Sequence, residues 1–197
     1  MTSHLGQEAL NQLFLEARTH NAWQKKDVPD SVLKELVDIL KWGPTSANCQ
    51  PVRIRFVKSA AAKERLSPSL SSGNREKTMA APVCAIIAHD LRFYEYLPRL
   101  FPHNQDARTW FEGNEAVVQA TAMRNGTLQG AYFMMAARAL GLDVGAMSGF
   151  DNAGVDKEFF PEGHIKSNFL CNVGYGDPAG LFDRSPRPAF DDIAAIL

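Results

Sequence analysis

Apolar residues recur at three- and four-residue spacing through the first forty positions. Leu10, Leu13, Phe14 and Ala17 predict a helix over 5–18. Asp30 is placed to cap a second helix whose apolar face is Val32, Leu33, Leu36, Val37, Ile39 and Leu40, with Lys34 and Asp38 paired outside. Gly43-Pro44 stops it. The period then changes. Val52, Ile54 and Phe56 alternate with Arg53 and Arg55, the pattern of a half-buried strand. A short helix is predicted over 60–66, and another ends near 79–81 ahead of Pro82. "VCAIIAHD" is continuously apolar, which predicts a strand buried on both faces. From 90 to 114 the period lapses, and six aromatics and two prolines predict an ordered excursion or lid. Residues 115–140 carry the longest helical pattern, with Leu128, Ala131, Tyr132, Met135 and Ala139 on one face. Gly141-Leu142 suits its C-terminal cap, and Gly126 and Gly130 inside it predict tight helix–helix packing. "SNFLCNVGYG" is a last strand and "FDDIAAIL" a short terminal helix or arm. Helices and strands mix without regular alternation, so the class is α+β.

Composition narrows the function. A chain of 197 residues, 45% hydrophobic and 22% charged, is one domain spanning 1–197 with a core of its own. The net charge of -1 and the scattered basic residues give no case for nucleic acid or an anionic membrane. No run of about 18 apolar residues predicts a membrane span. Three well-separated cysteines, Cys49, Cys84 and Cys171, predict a reducing, cytoplasmic setting. The charged N-terminus is not that of a signal peptide.

Several chemistries have no motif here. The five histidines lack metal-ligand spacing, so no metal is expected. There is no GxSxG and no P-loop. "GYGDPAG" has the wrong spacing for a dinucleotide fingerprint and reads as a turn after a strand.

Four polar clusters remain: "ARTHNAW" (17–23), "GPTSANCQP" (43–51), "GNREK" (73–77) and "DVGAMSGF" (143–150). In this order they resemble the nitroreductase family of flavin-dependent oxidoreductases, from about residue 10 to the end. "ARTHN", "KWGPTSANC", "LSSGN", "LFPH", "MSGFD", "KSN" and "GYGD" look most like its malonic semialdehyde reductase branch, which acts in pyrimidine catabolism.

The resemblance implies a fold, a cofactor and a site. The fold is a central, mostly antiparallel sheet flanked by helices, in an intertwined homodimer with a C-terminal arm over 180–197. The cofactor is FMN, at an interface that draws residues from both chains; the Gly126/Gly130 helix is a candidate interface element. Pro44, Thr45, Ser46 and Asn48 would wrap the flavin ring, with Cys49 as packing. Lys77, with Asn74, would offset negative charge at the ring's N1–O2 edge. Met147, Ser148 and Gly149 would lie over the ring near N5. Arg18, Thr19 and Asn21 would meet the phosphate, joined by Arg184 and Arg187. This opening departs from the family pattern. With Thr19 at the serine position, Ala17 and Asn21 stand where basic residues are usual. The implied reaction is ping-pong hydride transfer from NADH or NADPH to malonic semialdehyde, with Arg108 and Arg124 as candidate anchors for its carboxylate. A broad nitro- or quinone reductase carries the same logic, and a flavin-binding module without turnover is a reading of another class. Without the resemblance, Lys77 reads as a solvated helix lysine and Arg184 and Arg187 as a solvated tail.

Overall fold

β2 (Val83–Asp90) is buried along its whole length and organises the molecule. In this computed structural model, which describes residues 3–197, four antiparallel strands run in the order β1-β2-β4-β3. β1 is Val52–Val57, β3 Asp143–Met147 and β4 Ile165–Gly174. Ile54 faces Ile87, Ala85 faces Cys171, and Gly145 faces Asn172. Successive side chains of a strand point to opposite faces. Val83, Ala85 and Ile87 therefore enter one core and Cys84, Ile86 and Ala88 the other, which is why the sequence of β2 shows no alternation.

Chain order supplies the covering layers. α1 is Gln7–Leu10, α2 Asp30–Leu40, α3 Ala60–Leu66, α4 Ser72–Ala80 and α5 Leu97–Leu100. α6 is Glu115–Ala139, α7 Asn152–Phe159 and α8 Phe190–Ile193. On the first face Leu33, Leu36 and Leu40 of α2 join Phe133, Ala136 and Ala137 of α6. On the second, Leu66, Val155 and Phe160 close over Ile86 and Leu170. The aromatic stretch has a small core of its own. Phe93, Leu97, Ala107 and Phe111 gather around Cys49, Val118 and Ala122, with Phe93 and Phe111 edge to face at 4.9 Å. This binds the excursion to the 43–51 loop.

Several local expectations change. The first helix is only one α-turn, continued by a π-turn over Asn11–Leu15, and Phe14 and Leu15 stay exposed. Pro29, not Asp30, occupies the cap position of α2, and Asp38 pairs with Lys41 rather than Lys34. Asp143–Met147, read from the sequence only as part of a polar cluster, is the edge strand β3. The largest change concerns α6. Its glycines do not meet another helix. A Cβ on Gly126 would lie 2.8 Å from Cβ of His89, and one on Gly130 2.6 Å from the ring of Phe169. They let the helix sink onto β2 and β4. The face with Leu128, Ala131 and Tyr132 points outward, while Phe133, Ala136 and Ala137 face the core. Gly141 does cap the helix, with φ of 73° and Leu142 N–H donating to Ala137 O.

All three thiols are buried. Desolvation pushes Cys49 up to about 11 and Cys84 up to about 12, and it raises Cys171 further. In the unfolded chain thiols ionise near about 8.5. The folded state holds its thiol protons where the unfolded state releases them. The stability this gives is complete below the unfolded value and is lost as pH rises toward the folded values. The expected outcome is no reaction with a thiol reagent at about pH 8 in the native protein, full reaction in urea, and a falling unfolding midpoint above about pH 9. Rapid labelling of native Cys49 would contradict it.

Candidate functional site

The chain turns back into the sheet at residues 17–21. His20 N–H donates to Val144 O at 3.0 Å, and Thr19 bridges Val144 in parallel. His20 is buried, its Nε2 is 3.4 Å from Asp143, and its ring stands so close to Gly176 that any Cβ there would collide with it. That close approach is what "GYG" provides. Asp143 also accepts from Gly176 N–H at 2.9 Å. Arg18, Thr19 and Asn21 are thereby held at the β3 edge.

α4 comes to the same edge. Lys77 Nζ donates to Asn21 Oδ1 at 3.2 Å, linking two of the polar clusters. Buried Asn172 of β4 donates to Lys77 O at 3.4 Å and to Thr78 Oγ1 at 3.3 Å. Asn74 Nδ2 donates to Gly149 O at 2.9 Å, and Gly149 O also accepts from Ser71 N–H. A Cβ on Gly149 would lie 2.6 Å from Asn74 Nδ2, so the close approach needs glycine. Ser148 is exposed beside it. Met147 is not: it ends β3, and its sulfur accepts from Thr78 Oγ1.

The C-terminal segment completes this half. Arg18 donates to Phe182 O, and Arg184 to Ala17 O at 3.2 Å. Ala17, Arg18, Thr19, Asn21, Arg138 and the 182–187 stretch line a pocket of about 290 Å³. Arg18, Arg138, Arg184 and Arg187 all line it, and among the described residues none of the four forms an ion pair. Asp183 is the only carboxylate in the lining.

Pro44, Thr45, Ser46 and Asn48 are elsewhere. Ser46 N–H donates to Asn125 Oδ1 at 2.8 Å, near the middle of α6, whereas Arg138 stands in its last turn. Arg138 lies thirteen positions beyond Asn125 in the helix, about 20 Å at the α-helical rise. The loop is strained. Ala47, Asn48 and Gln50 have φ of 49°, 48° and 42°, a region that costs a non-glycine residue about 1 kcal/mol or more. Its hydrogen bonds hold it there. Thr45 Oγ1 accepts from Gln50 N–H, Gln50 Nε2 donates to Asn48 Oδ1, and Asn48 Nδ2 donates to Leu100 O. Cys49 packs into the small third core below.

Beside this loop lies a cleft of about 660 Å³ lined by Trp42, Pro44, Asn48, Arg53, Tyr96 and Arg99, among others. Arg53 is neutralised there by buried Asp90, 2.6 Å away. Arg99 lies over the Tyr96 ring at 5.9 Å. Arg108 and Arg124 line neither this cleft nor the arginine pocket. Arg108 pairs with Glu112 at 2.6 Å, and Arg124 is exposed on α6. Three contributors escaped the sequence reading: Asn125, Asn172 and Arg138. Arg138 alone left a signal, a basic residue in the last turn of a predicted helix.

The pattern of the nitroreductase family matches residues 15–175. The chain is 64% identical over 192 residues to a candidate NADH dehydrogenase/NAD(P)H nitroreductase of Burkholderia lata, covering 98% of each. It is 55% identical over 197 residues to one of Polynucleobacter asymbioticus, covering 100% of each. Among solved structures, a candidate nitroreductase of Bacillus subtilis superposes with a TM-score of 0.86 at 17% identity, covering 98% of this chain and 100% of that one. Another from Exiguobacterium sibiricum, solved in complex with FMN, superposes with a TM-score of 0.83 at 16% identity, covering 100% of this chain and 99% of that one. The family match and the identities over nearly whole chains establish that this chain belongs to the nitroreductase family.

Proposed function

We propose that the protein is an FMN-dependent oxidoreductase that uses NADH or NADPH. The observation that carries this reading is the continuous polar seam from the arginine pocket through Asn21 and Lys77 to Asn74 and Gly149. Its donors fit the cofactor. Three of the predicted arginines line a pocket with room for a phosphate and form no ion pair among the described residues, and a guanidinium is a natural partner for a phosphate. Lys77 supplies a cation near the contact of α4 with the Gly149 turn, where it would sit beside the ring. FMN, when bound, supplies hydride exchange at N5, from NAD(P)H to an acceptor, in a ping-pong cycle. The chain's own part is to hold the phosphate with Arg18, Arg184 and Arg187, to set the charge beside the ring with Lys77, and to close one side with Ser148 and Gly149. The relatives named NADH dehydrogenase/NAD(P)H nitroreductase and the FMN complex of the Exiguobacterium protein support this reading.

A second copy supplies what one chain separates. Pro44–Asn48 stands about 20 Å along α6 from the arginine pocket, so the two halves of one site would come from different protomers. Several apolar side chains await a cover. Leu128 and Tyr132 on α6 are exposed, as are Phe182, Phe190, Ile193 and Ile196 in the arm. Large apolar side chains left exposed on a helix and an arm are what a partner surface would cover.

For the acceptor we infer malonic semialdehyde, reduced at its aldehyde carbon to 3-hydroxypropanoate. The motif resemblance supports it, and so does the cleft beside Pro44 and Asn48, where Arg99 has no carboxylate partner among the described residues. That residue now takes precedence over Arg108 and Arg124 as the carboxylate anchor. A broad nitro- or quinone reductase is the second reading, favoured by the relatives' names. Absorbance from 300 to 550 nm, before and after anaerobic NADH, tests the cofactor; bound bands that bleach are expected. Turnover with malonic semialdehyde beside a nitroaromatic and a quinone then separates the acceptors. Absence of bound flavin bands with excess FMN would overturn the reading.

A further inference from the structure

Arg138 is an arginine that α6 delivers to the pocket of Arg18, Arg184 and Arg187, far in sequence from both segments. Its Nη1 donates to Leu13 O at 2.9 Å. Its Nε is buried and has no hydrogen-bond partner. A buried N–H left unpaired costs about 1–3 kcal/mol, and native structures rarely carry one without a reason. Burial also works against the charge of this guanidinium, lowering its pKa, with Asp143 as the carboxylate that partly offsets the effect. Asp143 is itself engaged with His20 and Gly176 N–H, and it makes no ion pair with Arg138. A partly desolvated cation with a spare donor, lining a pocket with three more arginines, calls for an anion.

We propose that Arg138 is a phosphate-binding residue of this chain, taking the place of the basic side chains missing at Ala17 and Asn21. The inference rests on the FMN reading above and extends it to a residue outside the motifs that carry the resemblance. Its position has a physical reason. The last turn of a helix accommodates a cation favourably because the unsatisfied carbonyls there are partly negative. α6 sinks onto the sheet at Gly126 and Gly130, which sets the height at which its last turn meets residues 17–21. The ligand chemistry is a phosphate monoester dianion, and the ring attached to it is irrelevant to this contact.

Titration of the full-length apoprotein with FMN and with riboflavin, which lacks the phosphate, provides the test. Wild type is expected to bind FMN more tightly than riboflavin. Arg138→Met is expected to weaken FMN about ten- to hundredfold while leaving riboflavin within about twofold, as loss of one charge-assisted hydrogen-bonding group should. Arg138→Lys keeps the charge and should retain part of the preference. Arg138→Gln can still donate to Leu13 O and gives the same reading if the Met variant does not fold. A variant that loses FMN and riboflavin in equal measure would make Arg138 a structural residue and overturn the inference. So would a variant that keeps the full preference. A wild type that binds neither flavin would instead sink the cofactor reading itself.

Discussion

Lys77→Met is expected to slow NADH-driven bleaching of bound FMN by about two orders of magnitude, the usual loss when one preorganised electrostatic donor is removed. Among the described residues Lys77 forms no salt bridge, and its side chain hydrogen-bonds to neutral Asn21. The backbone beneath it is fixed by Asn172, and the helix start by the Ser71 and Asn74 contacts to Gly149. The side chain is half-buried, and Met fills a similar volume. The fold should therefore survive, with an unfolding midpoint near that of wild type. Stopped-flow absorbance under anaerobic NADH reads the rate. An unchanged rate with FMN fully bound would return Lys77 to a surface lysine near Glu76.

Mixed assemblies should regain activity that neither parent has. Ser46 belongs to the strained loop, and Ser46→Tyr places a ring where that loop would face a flavin. Each single variant, Lys77→Met or Ser46→Tyr, spoils both sites of a dimer. A mixed dimer has one site carrying both changes and one carrying neither. With random assortment half the dimers are mixed, so co-expression should restore about a quarter of wild-type activity, following from two-fold symmetry. If Lys77 and Ser46 served the same site from one chain, every mixed dimer would have two damaged sites and no recovery would appear. The about 20 Å along α6 between Asn125, which holds Ser46, and Arg138, whose pocket shares Asn21 with Lys77, predicts recovery. Light scattering on the same samples reports whether the dimer exists; a monomer in every sample would remove the basis of the experiment and of the two-chain reading.

The polar clusters at 17–21, 74–77 and 147–149 were legible because short-range chemistry marks them: hydroxyl, amide and cation beside glycine turns. Their convergence was not. The Lys77–Asn21 hydrogen bond joins residues 56 apart, and nothing in either local pattern requires the other. Met147 shows the limit on a smaller scale. It sits in the right stretch, but the strand it ends turns its sulfur beneath Thr78.

Local sequence determined β1 and β2, the α3 and α4 helices, the glycine cap of α6 and the polar inventory of the site. Each depends on period, capping or side-chain type within a few residues. Which face of α6 is inside was decided by tertiary structure. Its buried side mixes Thr121, Asn125, Gly126, Gln129 and Gly130 with Val118, Ala122, Phe133, Ala136 and Ala137, while Leu128 and Tyr132 point out. Periodicity shows that a helix has two faces; it does not say whether the apolar one meets this chain or another. The same holds for the division of the site. Only α6, laid across the sheet with Asn125 near its middle and Arg138 in its last turn, separates the 44–48 loop from the arginine pocket, because distance along a rigid helix is a property of the packed chain and leaves no mark in the motifs it joins.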